Sequence, residues 1–586
     1  MKDKLAEKLK ETLIKIGNKS HIDLSDIRIE IKENKDKDKD FGDFSSNAAM
    51  VCAKKLSLTP IDLAKDVIEN LKGIDGIEKL EIAGPGFINF FVTNTSRFKV
   101  LEDIFLEGHK YGIKTKTDQE KILIEYVSSN PTGPLHIGHG RGAAFGSVLA
   151  SLLRANGNIV DEEYYVNDHG RQMDILAVSV LLRYIQLNDI ELYYPDDCYQ
   201  GDYIKEIAKE IHVKSKNKLV PQSSEFFELV KKAKDSEEGL NEAISWIKDE
   251  EGQNLKVIKD SALKNILSVI KLDLKEFGVN HNSWFHESSL YKKEGSKNSK
   301  IEQALETLQN NDFIYERDGA IWFKSTEFGD DKDRVVRRAN EDPTYFASDI
   351  AYHLDKYERK YDRVINVWGS DHHGYLPRVK ASVSALKQDE KKLEVVFIQF
   401  ANLLRSGEKL SMSTRGGEFI ELTDLIEEVG SDAARFFYIN RKGDQHLDFD
   451  LDLAKEQSKD NPLFYIQYAH ARVCSVMQKL NKNQKLDINL AKKNLNLLIG
   501  EKEIDLQKQL AMFPEIIERS ASKLEPHTIC YYLKDLASIF HSYYNDEKII
   551  TDDENLLQSK LLLINSVRQV IKNGLGVLGI QAPESM

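Results

Sequence analysis

His136 and His139 stand three residues apart in SSNPTGPLHIGHGRGAAFG, residues 128–146, where almost every neighbour is too small to bury anything. The apolar run ILIEYV, residues 122–127, comes just before them. A turn holding Pro131, Gly133 and Pro134 follows it, and a helix is predicted from about Gly140, with Phe145, Val148, Leu149, Leu152 and Leu153 on its core face and Asn156-Gly157 as its stop. A turn at the carboxyl end of a parallel strand is where open α/β sheets hold ligands. Small residues there let a ligand approach the backbone, and the helix start offers unpaired N–H groups to an anion. His136 and His139 therefore read as phosphate ligands, with Gly138, Gly140 and Gly142 making room for a nucleotide. A metal centre fits less well, because no glutamate follows in the HExxH manner and no third ligand stands nearby.

The elements that must position this turn recur along the chain. From Lys121 apolar strands alternate with helices: ILIEYV then GAAFGSVLASLLRANG, DRVINVWG then LPRVKASVSALK, and VVFIQF then ELTDLIEEVG. Such alternation predicts a parallel sheet with crossover helices. The fold class is α/β, a Rossmann-type parallel-sheet catalytic domain over 116–455, interrupted at about 175–330 by a polar, helix-rich insertion. Residues 1–115 read as an N-terminal α+β module, with a helix on Leu5, Leu9, Leu13 and Ile16 and strands at 27–31 and 87–92. KENKDKDKDFGD, residues 32–43, reads as a solvated hairpin tip. Residues 456–586 carry helical spacing only and read as an all-α bundle.

Composition narrows the function. A chain of 586 residues is too long for one core. It is 41% hydrophobic and 30% charged, without an apolar run long enough for a membrane span or a signal core, so a cytoplasmic protein with no membrane partner is expected. Cys52, Cys198, Cys474 and Cys530 lie far apart, which argues against zinc, a redox pair and a disulfide framework. The net charge of −13 gives no hint of a nucleic-acid partner, although a local basic surface can bind phosphate on an acidic protein.

HIGH at 136–139, preceded by SSNPTGPL, resembles the first signature of class I aminoacyl-tRNA synthetases, whose histidines stabilise the α-phosphate of ATP. YVNDHGRQM (165–173), NEDPTYFASDIAYH (340–353), VWGSDHHGYLPR (367–378), SDAARFFYI (431–439), FGDFSSNAA (41–49), AGPGFINFF (83–91) and NPLFYIQYAHAR (461–472) together resemble bacterial arginyl-tRNA synthetases over nearly the whole chain. The resemblance implies that arginine is activated with ATP to arginyl-adenylate and then joined to the 3′ end of tRNA(Arg). Mg²⁺ would accompany ATP, and the protein would be a monomer.

It also implies residue roles. Tyr345 and Asp349, four apart and so on one helix face, would recognise the guanidinium, while Glu125, Ser128 and Asn130 hold the amino and carboxylate end. His372 stands where some members carry a glutamine that contacts substrate. Beside it, Asp371 and His373 read equally well as structural. The second signature, a basic loop over the triphosphate, is matched by KLSMSTRGG, with Ser411, Met412 and Ser413 in register. Both of its lysines are replaced, by Ser411 and Thr414, and Gly133 stands where some members carry a substitute lysine. Lys409 and Arg415 are the nearest cations. Phe87 would stack on a tRNA base that Asn89 hydrogen-bonds, and Tyr465, Tyr468 and Arg472 would face tRNA from the bundle. Another synthetase is disfavoured: the cysteinyl enzyme's zinc ligands are missing, and the insertion is too short for the large editing enzymes. A small nucleotidylyltransferase would leave both flanking modules unexplained. The remaining alternative is a catalytically inactive tRNA-binding paralogue.

Overall fold

In the computed structural model the described residues are 2–34, 42–71, 73–74, 76–234, 237–293, 295, 297–410, 420–480 and 485–586. Most of the expected hairpin tip, 35–41, lies outside them, as does 411–419 of the second signature.

The N-terminal module packs the helix Lys2–Lys19 on a sheet of β1 (Ile31–Glu33), β2 (Phe44–Ser46), β3 (Ile77–Ala83) and β4 (Phe87–Val92) in the order β1-β2-β4-β3. Leu5, Leu9, Leu13 and Ile16 are all buried, as their period requires, in one core with Ile88 and Phe90. The strand expected at 27–31 begins only at Ile31. Its partner β2 has three residues, so the ladder pairs Ile31 with Ser46 and ends there, while Ile27 packs in the core outside it.

The central sheet holds β5 (Lys121–Glu125), β6 (Ile159–Val166), β7 (Ser283–His286), β11 (Arg363–Gly369) and β12 (Leu393–Ile398), all parallel, in the order β12-β11-β5-β6-β7. The chain runs outward from β5 through β6 to β7, then returns to the other side of β5, which makes the β5–β11 boundary a topological switch point. Ser283–His286 lie inside the span read as an insertion, yet they form the sheet's edge strand. The added material is thus in two pieces. Helices over 171–276 precede β7, and a small antiparallel sheet of β8 (Ile314–Arg317), β9 (Ala320–Phe323) and β10 (Arg334–Arg337) follows it.

Alternation along β5 divides its two faces. Ile122, Ile124 and Tyr126 share a core with Phe145, Val148 and Leu149 of the helix Ile137–Ala155, whereas Leu123 packs on the opposite side with Val364, Val379 and Val383. A fourth sheet, β13 (Ala401–Arg405), β14 (Glu408–Lys409) and β15 (Leu447–Asp450), leads to the bundle helices Pro462–Lys479, Glu501–Lys523, His527–Asp546 and Glu554–Val577. Arg435 ties these parts together. Fully buried, it donates to the carbonyls of Phe277 (2.9 Å) and Leu578 (3.0 Å) and to Ser147 Oγ (2.9 Å). Among the described residues no helix is long and apolar enough to cross a membrane.

The Ile137 helix lies so close to β5 that a Cβ on Gly146 would come within 2.2 Å of Tyr126 Cγ. Gly146→Ala should therefore destabilise the protein by about 1–3 kcal/mol through overpacking, read as a lowered thermal midpoint.

Candidate active site

The Ile137–Ala155 helix starts three residues earlier than its pattern predicts, because the two histidines cap it. His136 is the N-cap, and its Nδ1 accepts the Gly138 N–H at 3.1 Å. His139, at the third helical position, returns its Nδ1 to the His136 N–H at 3.3 Å. These are the duties serine and glutamate perform in a capping box, and a rule keyed to those residue types passes over histidine. The rings lie 3.8 Å apart at 30°. With each Nδ1 acting as an acceptor, the neutral rings carry their proton on Nε2, as donors. Burial lowers the pKa of His136; burial and the neighbouring His136 lower that of His139 to about 3. The pair therefore offers an anion oriented N–H groups and no net charge.

The glycines divide by role. A Cβ on Gly142 would meet open space, and one on Gly138 would strike the His136 ring at 2.8 Å. Gly140 corrects the sequence reading: its Cβ position is taken by Tyr438 at 2.8 Å and Leu422 at 3.0 Å, so it serves packing and is not open to a nucleotide.

Ser411, Met412, Ser413 and Arg415 lie outside the described residues, but both flanks of their segment are placed. Lys409 ends β14, exposed, paired with Leu404 of β13. On the far side, Ile137 N–H donates to Ile420 C=O at 3.2 Å and Leu422 N–H to Leu135 C=O at 2.8 Å, an antiparallel bridge across His136 and Glu421. The two signatures are joined at their bases.

Across the switch point is an acidic pocket. The helix Tyr345–Glu358 puts Asp349 one turn after Tyr345, as expected. Tyr345 is exposed, with its hydroxyl over Gly170, where a Cβ would lie 2.8 Å from it; Asp349 is half-buried and accepts the Tyr375 hydroxyl. Glu287, 1% exposed, accepts Ser348 Oγ at 3.2 Å through Oε1, while its buried Oε2 has no hydrogen-bond partner. Burial foremost, with the charge of Glu125, raises Asp349 to about 6; burial with the charges of Asp349 and Asp168 raises Glu287 to about 7. Asp168 receives His286 Nδ1 at 2.8 Å and the Ser288 N–H at 2.7 Å, and these bonds outweigh its burial and hold it below its usual range. A cation is the ligand such a pocket lacks.

Glu125, at the end of β5, accepts Lys356 Nζ at 2.5 Å and Ser128 Oγ at 3.0 Å. Val127 (φ 69°) and Ser128 (φ 44°) are left-handed, a costly state for valine especially. Tyr165 N–H to Ser128 Oγ (3.1 Å) and Asn167 Nδ2 to Ser128 C=O (3.2 Å) hold the turn in place. Asn130 is exposed. So is His372, with Nδ1 3.1 Å from Asp371 Oδ1, while His373 stacks on Phe397 at 3.6 Å.

The family model for "tRNA synthetases class I (R), catalytic domain" matches residues 100–450. The chain belongs to the class I arginyl-tRNA synthetases. An arginyl tRNA synthetase N-terminal domain model matches residues 3–92, and a DALR anticodon-binding domain model matches 466–586. The chain is 48% identical to the arginine–tRNA ligase of Acinetobacter baylyi over 94% of each chain, and 46% identical to that of Legionella pneumophila strain Corby over 99% of each. Thermus thermophilus arginyl-tRNA synthetase has the same fold, with TM-score 0.74 and 20% identity over the whole of both chains.

In the flanking modules of this synthetase Phe87 is 38% exposed at the start of β4, open to a stacking partner, whereas Asn89 is buried at 3% between β2 and β3. On the bundle, Tyr468 is exposed and Tyr465 half-buried against His541. Arg472 lies between the Tyr468 and Tyr544 rings, 4.6 Å from each, and donates to the Tyr468 hydroxyl and His541 Nδ1, both at 3.1 Å.

Sequence reasoning missed Glu287, Tyr375, Lys356 and Asn366. Tyr375 stood in a quoted motif, and Lys356 lies seven residues after Asp349 on the same helical stripe. Nothing local marks Glu287.

A carboxylate must be ionised to pair with a guanidinium, and the raised pKa values of Asp349 and Glu287 keep protons on them at low pH. The KM for arginine should therefore fall as pH rises from about 5.5 to about 8, levelling once both protons are lost, with kcat less affected; ATP–pyrophosphate exchange at several pH values measures it.

Proposed function

We propose that the chain activates arginine with ATP and transfers it to the 3′ end of tRNA(Arg). The observation that carries this reading is the group of buried and half-buried carboxyl groups of Glu125, Glu287 and Asp349 on a sheet whose switch point also carries two N–H-donating histidines. Asp349 and Glu287 take the guanidinium, whose planar fork suits two carboxylates, and Tyr345 borders it. Glu125, Ser128 and Asn130 receive the amino and carboxylate end. An arginine carboxylate is already ionised at neutral pH, so no general base is needed. Its oxygen bonds to the α-phosphorus while the bond to pyrophosphate breaks, and the 3′-terminal hydroxyl of tRNA then attacks the acyl carbon, releasing AMP. Catalysis reduces to placing the reactants and stabilising charge on the α-phosphate. His136 and His139 do the latter by N–H donation.

Mg²⁺ enters as part of the ATP substrate; among the described residues no His, Cys, Asp or Glu cluster is suited to hold an ion of its own. Lys409 and Arg415 supply cations to the triphosphate, with Ser411, Met412 and Ser413 carrying the loop and His372 near the nucleotide. Phe87, Tyr465, Tyr468 and Arg472 meet tRNA from the two outer modules, divided from the catalytic one near residues 115 and 455. The protein works in the cytoplasm as a monomer. An inactive tRNA-binding relative is the poorer reading, since both histidines and the acidic groups Asp349, Glu287 and Glu125 are present.

Arginine-dependent ATP–pyrophosphate exchange, run with and without tRNA(Arg), tests the assignment. Exchange should be present in the wild type and fall by at least about 100-fold in Asp349→Ala; no exchange under either condition, with tRNA still bound, would favour the inactive relative. Phe87→Ala should weaken tRNA binding by about 5- to 100-fold, the worth of one stacked base, measured by filter binding; an unchanged affinity would place the tRNA elsewhere.

A further inference from the structure

Beneath the amino-acid pocket, one register row crosses the sheet at the level where β5 ends: Asn366 of β11 opposite Glu125 of β5, Glu125 opposite Glu163 of β6, and Glu163 opposite Ser283 of β7. Lys356, buried completely, reaches down to this row and donates to Glu125 Oε2 (2.5 Å) and Asn366 Oδ1 (2.8 Å), with the Tyr352 ring 4.2 Å from its ammonium. The bonds beyond it have a fixed direction. His353 Nδ1 lies 2.8 Å from the Asp349 carbonyl, which only accepts, so the imidazole donates there. Its Nε2 is then the acceptor for Asn366 Nδ2 at 3.1 Å, which turns the Asn366 carbonyl toward Lys356. Burial, together with the Lys356 charge, pushes His353 down to about 3, in keeping with a neutral ring. Ser128 closes the other end on Glu125 Oε1 at 3.0 Å. A single directed chain thus runs from the backbone of Asp349 to the carboxylate of Glu125.

We propose that Lys356 is a positioning residue for the amino-acid pocket: its buried ammonium fixes the Glu125 carboxylate in the orientation that meets the α-ammonium of arginine. Lys356 touches no substrate. It acts by supplying the counter-charge that lets a carboxylate stay in a dry site beside Asp349, and by tying that carboxylate to the helix carrying Asp349. The two ends of the pocket are thereby held at one separation. This rests on the reading that Glu125 receives the α-ammonium.

The test compares arginine with δ-guanidinovalerate, which keeps the guanidinium and carboxylate but lacks the α-amino group. In Lys356→Met the KM for arginine in pyrophosphate exchange should rise about 10- to 100-fold with little change in kcat, while inhibition by δ-guanidinovalerate stays within about threefold of wild type. Equal loss for both ligands would mean that the pocket has collapsed, and no loss for arginine would mean that Lys356 has no part in binding; either overturns the proposal. Glu125→Gln is measured alongside. If it leaves the arginine KM unchanged, the reading of Glu125 itself fails and the proposal falls with it. Should Lys356→Met not fold because a carboxylate is left buried alone, the charge-neutral pair Glu125→Gln/Lys356→Met decides. It should match Glu125→Gln within about threefold, because Lys356 acts only through Glu125; a further loss of arginine binding overturns the assignment.

Discussion

Charge buried across a parallel sheet, in the register row where β5 ends, is the constraint on which the rest of the site depends. Strands of such sheets are ordinarily apolar on both faces, yet β5, β6 and β11 place Glu125, Glu163 and Asn366 side by side there. An unpaired carboxylate in that position would cost several kcal/mol. Each is answered from the helix that carries Asp349 or from just beyond its end. Lys356 bonds Glu125, Arg359 takes Glu163 with two N–H groups at 2.6 and 2.9 Å, and the Tyr352 hydroxyl reaches Glu163 at 2.7 Å. These pairs contribute little net stability over an apolar core. What they supply is register, because the helix cannot slide on the sheet without stranding a charge. The position of Asp349 over the switch point follows from bonds made one layer below it.

Opposite electrostatic solutions stand on the two sides of the switch point. One side gathers the carboxyl groups of Asp349, Glu287 and Glu125. On the other the histidines are neutral, and protonating either Nδ1 would break the cap that shapes the helix start. Oriented N–H groups stabilise a phosphate without requiring any proton to move when it arrives. The stretch after the second signature is bridged to Leu135 and Ile137, so the base of that loop is fixed against the same helix start. Because Arg141 of that helix, fully buried, holds the carbonyls of Gln399, Lys442 and Gln445 at 2.7–2.9 Å, the surrounding backbone is fixed with it.

Much of this was legible in the sequence. Helical period exposed the Lys2–Lys19 and Ile137–Ala155 helices, and strand–helix alternation the parallel sheet. The spacing of Tyr345 and Asp349 placed them on one helix face because that relation is local. What could not be read depends on tertiary register. Glu287 follows a four-residue edge strand whose membership of the sheet no local pattern signals. Lys356 meets Glu125 across 231 residues. Gly140 was misjudged for the same reason in reverse: a glycine near a ligand turn looks available until Tyr438 and Leu422 are placed against it.

A pocket with several carboxylates near one another invites the protein's own cations to fill it, and how the fold prevents this bears on its selectivity. Lys356 and Arg359 are long enough to approach the pocket, but each is committed elsewhere, one to Glu125 and Asn366, the other to Glu163. With the internal cations fixed, the crowding of Asp349 and Glu287 is met by a raised proton affinity, to pKa values of about 6 and about 7. A guanidinium reaching them would displace any such proton rather than break a native ion pair. A proton on a group with a pKa of 6 or 7 is lost at little cost near neutral pH, whereas separating a buried lysine from its carboxylate would cost far more. Of the two carboxylates Asp349 is the one open in part to solvent, whereas Glu287 Oε2 is buried without a hydrogen-bond partner, so an arriving cation would meet Asp349 first.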